Sequence, residues 1–257
     1  MWPFSNKTTL ENVGIFSGFT DWHSHILPGV DDGIPDLESA LQVLERYEQL
    51  GIGEVWLTPH VMEDIPNATV DLRQRFSELL SAYEGTVKLH LAAEYMLDNG
   101  FEERLNSNDL LCIQPPPLNL QSSLRQSQGK YSLNPQSSIL VETSYITPPM
   151  NLYGIIERIR DKGYRPLLAH PERYIYMESC DYERLRDMGV HFQCNITSLT
   201  GAYGKDARQK FSTFLSKGRI QAMGTDIHRL SSFNHAISRK CIDVRLRKLL
   251  MNNGFCG

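Results

Sequence analysis

The sequence predicts an α/β protein in which a parallel sheet is covered by helices, and three observations carry that prediction. Short apolar runs alternate with amphipathic helical patterns along the whole chain, in about seven strand–helix units, as a parallel sheet requires. No G-x-G-x-x-G follows the first strand, which turns the choice from a dinucleotide-binding fold toward a closed barrel. With 257 residues, 41% of them hydrophobic, the chain can fill one sizeable core, so a single domain spanning 1–257 is expected.

Taken in order, Gly14 to Thr20 reads as a short strand ending at the polar tip Asp21-Trp22-His23-Ser24-His25. Pro35 to Leu50 is an amphipathic helix. Leu37, Leu41, Leu44 and Tyr47 recur at three- and four-residue spacing, Asp36 serves as N-cap and Gly51 as the stop. Glu54 to Thr58 is a strand leading to Pro59-His60. A helix from about Val70 to Tyr83 carries Leu72, Phe76, Leu79 and Leu80 on one side, and the strand Thr86 to Ala93 leads to Glu94. Residues 113–138 break the pattern: Pro115, Pro116 and Pro117 precede a Ser-, Gln- and Asn-rich stretch, expected to be a long, mobile loop insertion.

The alternation then resumes. Ile139 to Val141 is a strand ending at Glu142, and Ile155, Ile156 and Ile159 mark the next helix. Pro166 to Ala169 is a strand ending at His170, and a helix near Tyr182 to Met188 precedes the strand Val190 to Ile196. Ala207 to Lys217 is helical, Ile220 to Met223 is a strand ending in Gly224-Thr225-Asp226-Ile227-His228, and one last helix is expected from about Asn234 to Leu250.

Composition narrows the partners. A net charge of −4 with no long basic run disfavours nucleic acid. No stretch reaches the ~20 apolar residues of a membrane span. Cys112, Cys180, Cys194, Cys241 and Cys256 are scattered without a C-x-x-C, so a reducing, cytoplasmic setting is expected rather than a disulfide framework.

The polar residues show one regularity. His23, His25, His60, Glu94, Glu142, His170, Asp226 and His228 all fall at or just beyond the C-terminal ends of predicted strands, and Asp32 lies in the first loop. In a parallel barrel those ends form one face, where active sites are built. Each residue alone has an ordinary structural explanation, but their repeated placement does not. Five imidazoles and four carboxylates cannot gather unpaired without a large electrostatic cost, which divalent cations remove. Mixed nitrogen and oxygen donors suit zinc, manganese or iron better than calcium or magnesium, and nine donors exceed the needs of one ion. His90, His191 and His235 fall outside this pattern and read as structural.

Two C-x5-R strings, Cys180 to Arg186 and Cys241 to Arg247, match the spacing of cysteine-based tyrosine phosphatases. Neither contains the glycine that a phosphate-cradling loop normally needs, and both fall in predicted helices with nearby acids, so both are taken as chance matches.

The motifs Asp21-Trp22-His23-Ser24-His25, Asp31-Asp32-Gly33, Thr58-Pro59-His60, Glu94-Tyr95, Val141-Glu142, Ala169-His170-Pro171-Glu172-Arg173-Tyr174 and Thr225-Asp226-Ile227-His228 resemble the PHP (polymerase and histidinol phosphatase) superfamily. The resemblance is strongest to the manganese-dependent bacterial tyrosine-protein phosphatases of capsule and exopolysaccharide operons. It implies a distorted (β/α)7 barrel with a three-ion centre of manganese, with iron or zinc as alternatives. One ion would take His23, His25, Glu94 and Asp226, a second Glu94, Glu142 and His170, and a third Asp32, His60 and His228. A hydroxide held between such ions attacks phosphorus without a covalent enzyme intermediate. Arg173, three residues past His170, would fork onto the phosphate or else form an ion pair with Glu172 or another acid. The implied substrate is phosphotyrosine on the tail of a bacterial tyrosine kinase of polysaccharide export. The alternatives are a PHP phosphoesterase acting on a small phosphomonoester such as histidinol phosphate, and a non-catalytic metal-binding interaction module. Two features depart from the family pattern. The 113–138 segment replaces a short connection, and Phe233 lies in the neighbourhood where relatives place an arginine, so Arg229, directly after His228, either takes that role or is solvated.

Overall fold

The computed structural model describes residues 7–114 and 136–255. The parallel strands are β1 (Thr20–Ser24), β2 (Glu54–Leu57), β3 (His60–Val61), β4 (Lys88–Leu91), β5 (Glu94–Met96), β6 (Ser138–Glu142), β7 (Arg165–Ala169), β8 (His191–Asn195) and β9 (Ala222–Gly224). The helices are α1 (Leu37–Leu50), α2 (Thr69–Ala82), α3 (Asn99–Ser107), α4 (Leu152–Asp161), α5 (Ser179–Asp187), α6 (Gly204–Ser216), α7 (Leu230–Ile237) and α8 (Val244–Asn252).

The strands pair in the orders β1-β2-β4 and β3-β5-β6-β7-β8-β9, parallel throughout. Ala92 N donates to Leu57 O (2.9 Å), extending the β2–β4 pairing, and Glu94 N donates to Pro59 O (3.0 Å), carrying that pairing on into β3–β5. Asp226 N donates to His23 O (2.8 Å) and His25 N to Ile227 O (3.1 Å), bringing the end of β9 against the end of β1. The result is a curled parallel sheet in a half-barrel form.

Alternation along the strands divides the apolar residues into two clusters. Val55, Leu57, Ile139, Val141, Leu168 and Met223 belong to the large core that includes the helices' buried faces. Trp56, Leu140, Leu167, Ala169 and Ala222 form a separate small cluster. Glu142 shares a strand face with Leu140, so the polar site continues that second face at the C-terminal strand ends.

Local chemistry explains the boundaries. Asp36 caps α1 by accepting from Ser39 N, and Gly51 closes it in the left-handed conformation with φ 82°. Where the expected elements differ, tertiary contacts or backbone geometry decide. The first strand is not Gly14 to Thr20: Gly14 and Gly18 sit at φ 84° and 71°, which no strand residue adopts, and β1 starts at Thr20. The strand expected over Thr86 to Ala93 is β4 alone, and Glu94 opens β5 instead of following a strand end. The single last helix is two. Ile242 pairs with Thr8 in an antiparallel bridge, and Asp243 then caps α8 by accepting from Leu246 N. His235 accordingly lies in the last turn of α7, not at a helix start, and Cys241 precedes α8. Helix α3, capped by Asp98, has only Phe101 and Leu105 as a buried stripe, too little periodicity to stand out.

Of the 113–138 insertion, residues 115–135 lie outside the described residues. Its two ends meet: Ile113 and Ser138 exchange backbone hydrogen bonds of 2.9 and 2.8 Å. None of the helices among the described residues is long and apolar enough to cross a membrane.

Candidate metal centre

The nine predicted residues come together in one place. His23 is on β1 and His25 follows it; His60 opens β3, Glu94 opens β5, Glu142 ends β6, His170 follows β7, and Asp226 and His228 follow β9. The His23 and His25 Nε2 atoms are 3.1 Å apart. Glu94 Oε2 lies 3.1 Å from His23 Nε2, 3.3 Å from His25 Nε2 and 3.2 Å from His60 Nδ1, while its Oε1 lies 3.0 Å from His170 Nε2. Asp226 Oδ1 lies 3.4 Å from His25 Nε2 and 3.5 Å from His228 Nδ1. Glu142 lies 3.1 Å from His60 Nδ1 and 3.7 Å from His170 Nε2. Asp32 Oδ1 sits 3.4 Å from His228 and 3.6 Å from His60, both at Nε2.

Four groups of donor atoms within 4.8 Å of one another result: His25, Asp32, His60 and His228; His23, His25 and Asp226; His23, Glu94 and His170; His60, Glu94 and Glu142. Glu94 sits between groups. His25 reaches toward the Asp32 group as well as toward His23, and His60 faces Glu142 as well as Asp32, a sharing that spacing along the chain does not reveal.

The donor chemistry fits divalent cations. His23 Nδ1 is 2.7 Å from Gln193 Oε1 and His25 Nδ1 is 2.8 Å from Asp31 Oδ2, so each Nδ1–H is occupied as a donor. In the neutral rings both Nε2 lone pairs then face one another at 3.1 Å, an arrangement that an intervening cation relieves. Donors about 2.1 Å from a shared ion lie about 3.0–3.4 Å apart, and the contacts of this cluster run from 3.0 to 3.7 Å. Glu94 Oε2, Glu142 Oε1 and His60 Nδ1 are buried without a hydrogen-bond partner.

Electrostatics follow from the crowding. Burial alone would push Glu94 and Asp226 up, but the histidines around them hold both carboxyls well below the ordinary range. Burial and the neighbouring His25 charge work against protonation of His60, yet Glu142 and Glu94 raise it to about 10. Asp31, despite its burial, is held at about 2 by His25 and by the His60 and Gly33 backbone amides.

Backbone geometry is special here. His170 (φ 32°) and Asp226 (φ 53°) are two of the three non-glycine residues with positive φ among the described residues. A Cβ on Gly224 would come within 2.5 Å of His23 Cβ, and one on Gly33 within 2.4 Å of His25 O, so both glycines let the chain approach the histidines.

A cleft of about 450 Å³ opens onto the cluster, lined among others by Tyr145, Arg173, Tyr203 and Arg229. Arg173 does not pair with its neighbour Glu172. That buried carboxylate accepts from Asn195 N and Ser198 Oγ, both at 2.8 Å, while Arg173 Nη1 donates to Asp226 Oδ2 at 2.9 Å. Arg229 is the exposed N-cap residue of α7. Phe233 is buried against Phe16 and Tyr47, away from the cleft lining. Neither Cys180 nor Cys241 lines the cleft. Sequence reasoning missed Asp31, Gln193, Asn195, Tyr145 and Tyr203. Gln193 and Asn195 carried a usable signal, since two polar residues two apart at the end of a strand share its inner face.

Comparison with known proteins agrees with this geometry. The family profile described as "Capsular polysaccharide synthesis, CpsB/CapC" matches residues 19–115 and 119–253. The chain is 24% identical over 220 residues to the tyrosine-protein phosphatase YwqE of Bacillus subtilis (strain 168), covering 83% of this chain and 79% of that protein. It is 25% identical over 230 residues to the tyrosine-protein phosphatase CpsB of Streptococcus agalactiae, covering 82% and 83%. The fold is similar to a solved structure from work on YwqE of Bacillus subtilis and CpsB of Streptococcus pneumoniae, metal-dependent tyrosine phosphatases, with a TM-score of 0.64, 21% identity, and coverage of 93% of this chain and 94% of that one. With the profile spanning nearly the whole of the curled sheet and every strand end that delivers a donor, the chain belongs to the CpsB/CapC family of capsular polysaccharide synthesis.

Proposed function

We propose that this chain is a metal-dependent protein-tyrosine phosphatase, a phosphoric monoester hydrolase acting on phosphotyrosine of a bacterial tyrosine kinase of polysaccharide export. The observation that carries the reading is the convergence of five imidazoles and four carboxylates, with inward-facing lone pairs, at the floor of an open cleft. The names of the relatives, tyrosine-protein phosphatases, support the substrate class.

In this reading His23, His25, Glu94 and Asp226 hold one cation, Glu94, Glu142 and His170 a second, and Asp32, His60 and His228 a third, with manganese the first choice. Divalent cations bound there supply charge to the phosphoryl oxygens and a nucleophilic water at neutral pH. The protein's own residues orient and recognise. Gln193 and Asp31 fix the ring orientations of His23 and His25. Arg173 directs guanidinium N–H groups toward the phosphoryl group, and Arg229 meets the substrate at the rim. No cysteine takes part. The reading extends to one distorted (β/α)7 barrel in a single domain, and the scattered cysteines support a cytoplasmic setting.

The test is phosphate release from a phosphotyrosine peptide and from histidinol phosphate, each with manganese and with a chelator. Manganese-dependent release from the peptide, abolished by chelator and faster than from histidinol phosphate, is expected. Faster turnover of histidinol phosphate would move the assignment to a small-molecule phosphoesterase. Release from neither would leave a metal-binding module.

A further inference from the structure

The Arg173 guanidinium carbon lies over two tyrosine rings, 4.3 Å from the centroid of Tyr145 and 4.3 Å from that of Tyr203. A guanidinium held over aromatic faces keeps its N–H edges for hydrogen bonding. One of those edges is fixed, because Nη1 donates to Asp226 Oδ2 at 2.9 Å. The same oxygen accepts from Asn195 Nδ2 (2.6 Å) and lies 3.3 Å from the Tyr203 hydroxyl. Both rings line the cleft beside Arg173 and come from separate parts of the chain, the β6–α4 loop and the turn before α6. Tyr145 is itself anchored, its ring 5.5 Å from that of His170 and its carbonyl accepting from Ile175 N at 2.9 Å.

We propose that Tyr145 and Tyr203 are positioning residues that clamp the plane of Arg173, keeping one edge on Asp226 and turning the other toward a phosphoryl group in the cleft. The clamp deepens the phosphatase reading and rests on it for the identity of the anion. Without the rings, a guanidinium on a flexible stem loses its fixed plane, and its two-pronged contact with phosphate gives way to a looser one.

The full chain is tested with inorganic phosphate as the probe, by direct binding and by inhibition of phosphotyrosine-peptide hydrolysis, with metal content measured in the same preparations. Tyr145→Leu and Tyr203→Leu should each weaken phosphate binding about five- to tenfold, as loss of a partly desolvated cation–π contact implies, with metal content unchanged. Tyr145→Phe, which keeps the ring, should restore binding. In an R173K background Tyr203→Leu should add no further loss, because the group being clamped has gone. Equal losses with and without Arg173, or loss of bound metal in step with loss of phosphate binding, would overturn the clamp. Phosphate binding reads the clamp even if the wild-type chain fails to turn over the peptide, so failure of the clamp and failure of the phosphatase reading are separable.

Discussion

The Nδ1 atom of His23 donates to the Gln193 side-chain oxygen at 2.7 Å, and that same oxygen lies 3.3 Å from the His170 backbone nitrogen. One amide therefore orients two residues of the cluster. Gln193 Nε2 in turn donates to Asn195 Oδ1 at 3.1 Å, which fixes which way the amide points. Gln193→Leu should remove both restraints while filling similar space. Metal affinity is expected to fall about 10–100-fold, the usual cost of losing such a partner. A manganese titration followed by calorimetry checks this; unchanged affinity would show that His23 needs no orienting group.

His170→Ala should abolish phosphate release, and Cys180→Ser should leave it nearly unchanged. His170 is buried and 3.0 Å from Glu94, whereas Cys180 is exposed on α5, outside the cleft lining. Steady-state assays of the two variants decide the matter, and loss of activity in Cys180→Ser alone would refute a metal mechanism.

Gly224→Ala places a methyl group 2.5 Å from His23 Cβ and 2.8 Å from Gln193 Nε2, where nothing yields without moving the cluster. Overpacking of this kind costs about 1–3 kcal/mol. A chemical denaturation curve should register that loss, and bound metal should drop with it. The same change at the open position Gly53 should do neither.

His191 gives the protein an acid sensitivity unrelated to metal. Burial, aided by the Arg165 charge, lowers it from 6.5 to about 4. The unfolded chain therefore binds this proton at higher pH than the folded one, so stability increases with pH between about 4 and 6.5 and is lost on acidification. The shift corresponds to at most about 3 kcal/mol, reduced by the residue's partial exposure. His191→Gln should narrow the difference in melting temperature between pH 7 and pH 4.5. An unaltered difference would place the acid sensitivity elsewhere.

Chelation should destabilise the fold as well as silence it. Ligands that bind only the folded state add about 4 kcal/mol when present at a thousand times Kd. A thermal scan with and without chelator should therefore show a lower melting temperature after metal removal, restored by adding manganese back.

Much of the centre is legible in the sequence because eight of the nine donors fall at or just past an apolar run that already looks like a strand. Glu142 after Ile139-Leu140-Val141 and His170 after Leu167-Leu168-Ala169 announce their own position. The supporting residues are harder to read. Asp31 is one residue from the expected ligand Asp32, and only the fold shows that it faces His25 while Asp32 faces His60 and His228. Tyr145 and Tyr203 acquire meaning only when the loops bring them over Arg173. The elements misread from sequence are those decided elsewhere in the chain. Nothing near Ile242 tells that Thr8 will pair with it and divide the last helix. Gly14 and Gly18 did carry a local signal, since paired glycines four apart argue against a strand.

Ile113 and Ser138, on either side of a long stretch of sequence, are stitched by a reciprocal pair of amide contacts. Ser138 is the first residue of the strand that ends at Glu142, so the pair pins that strand at its start. The pair accordingly acts as a latch that holds the Glu142 strand in register from its far end.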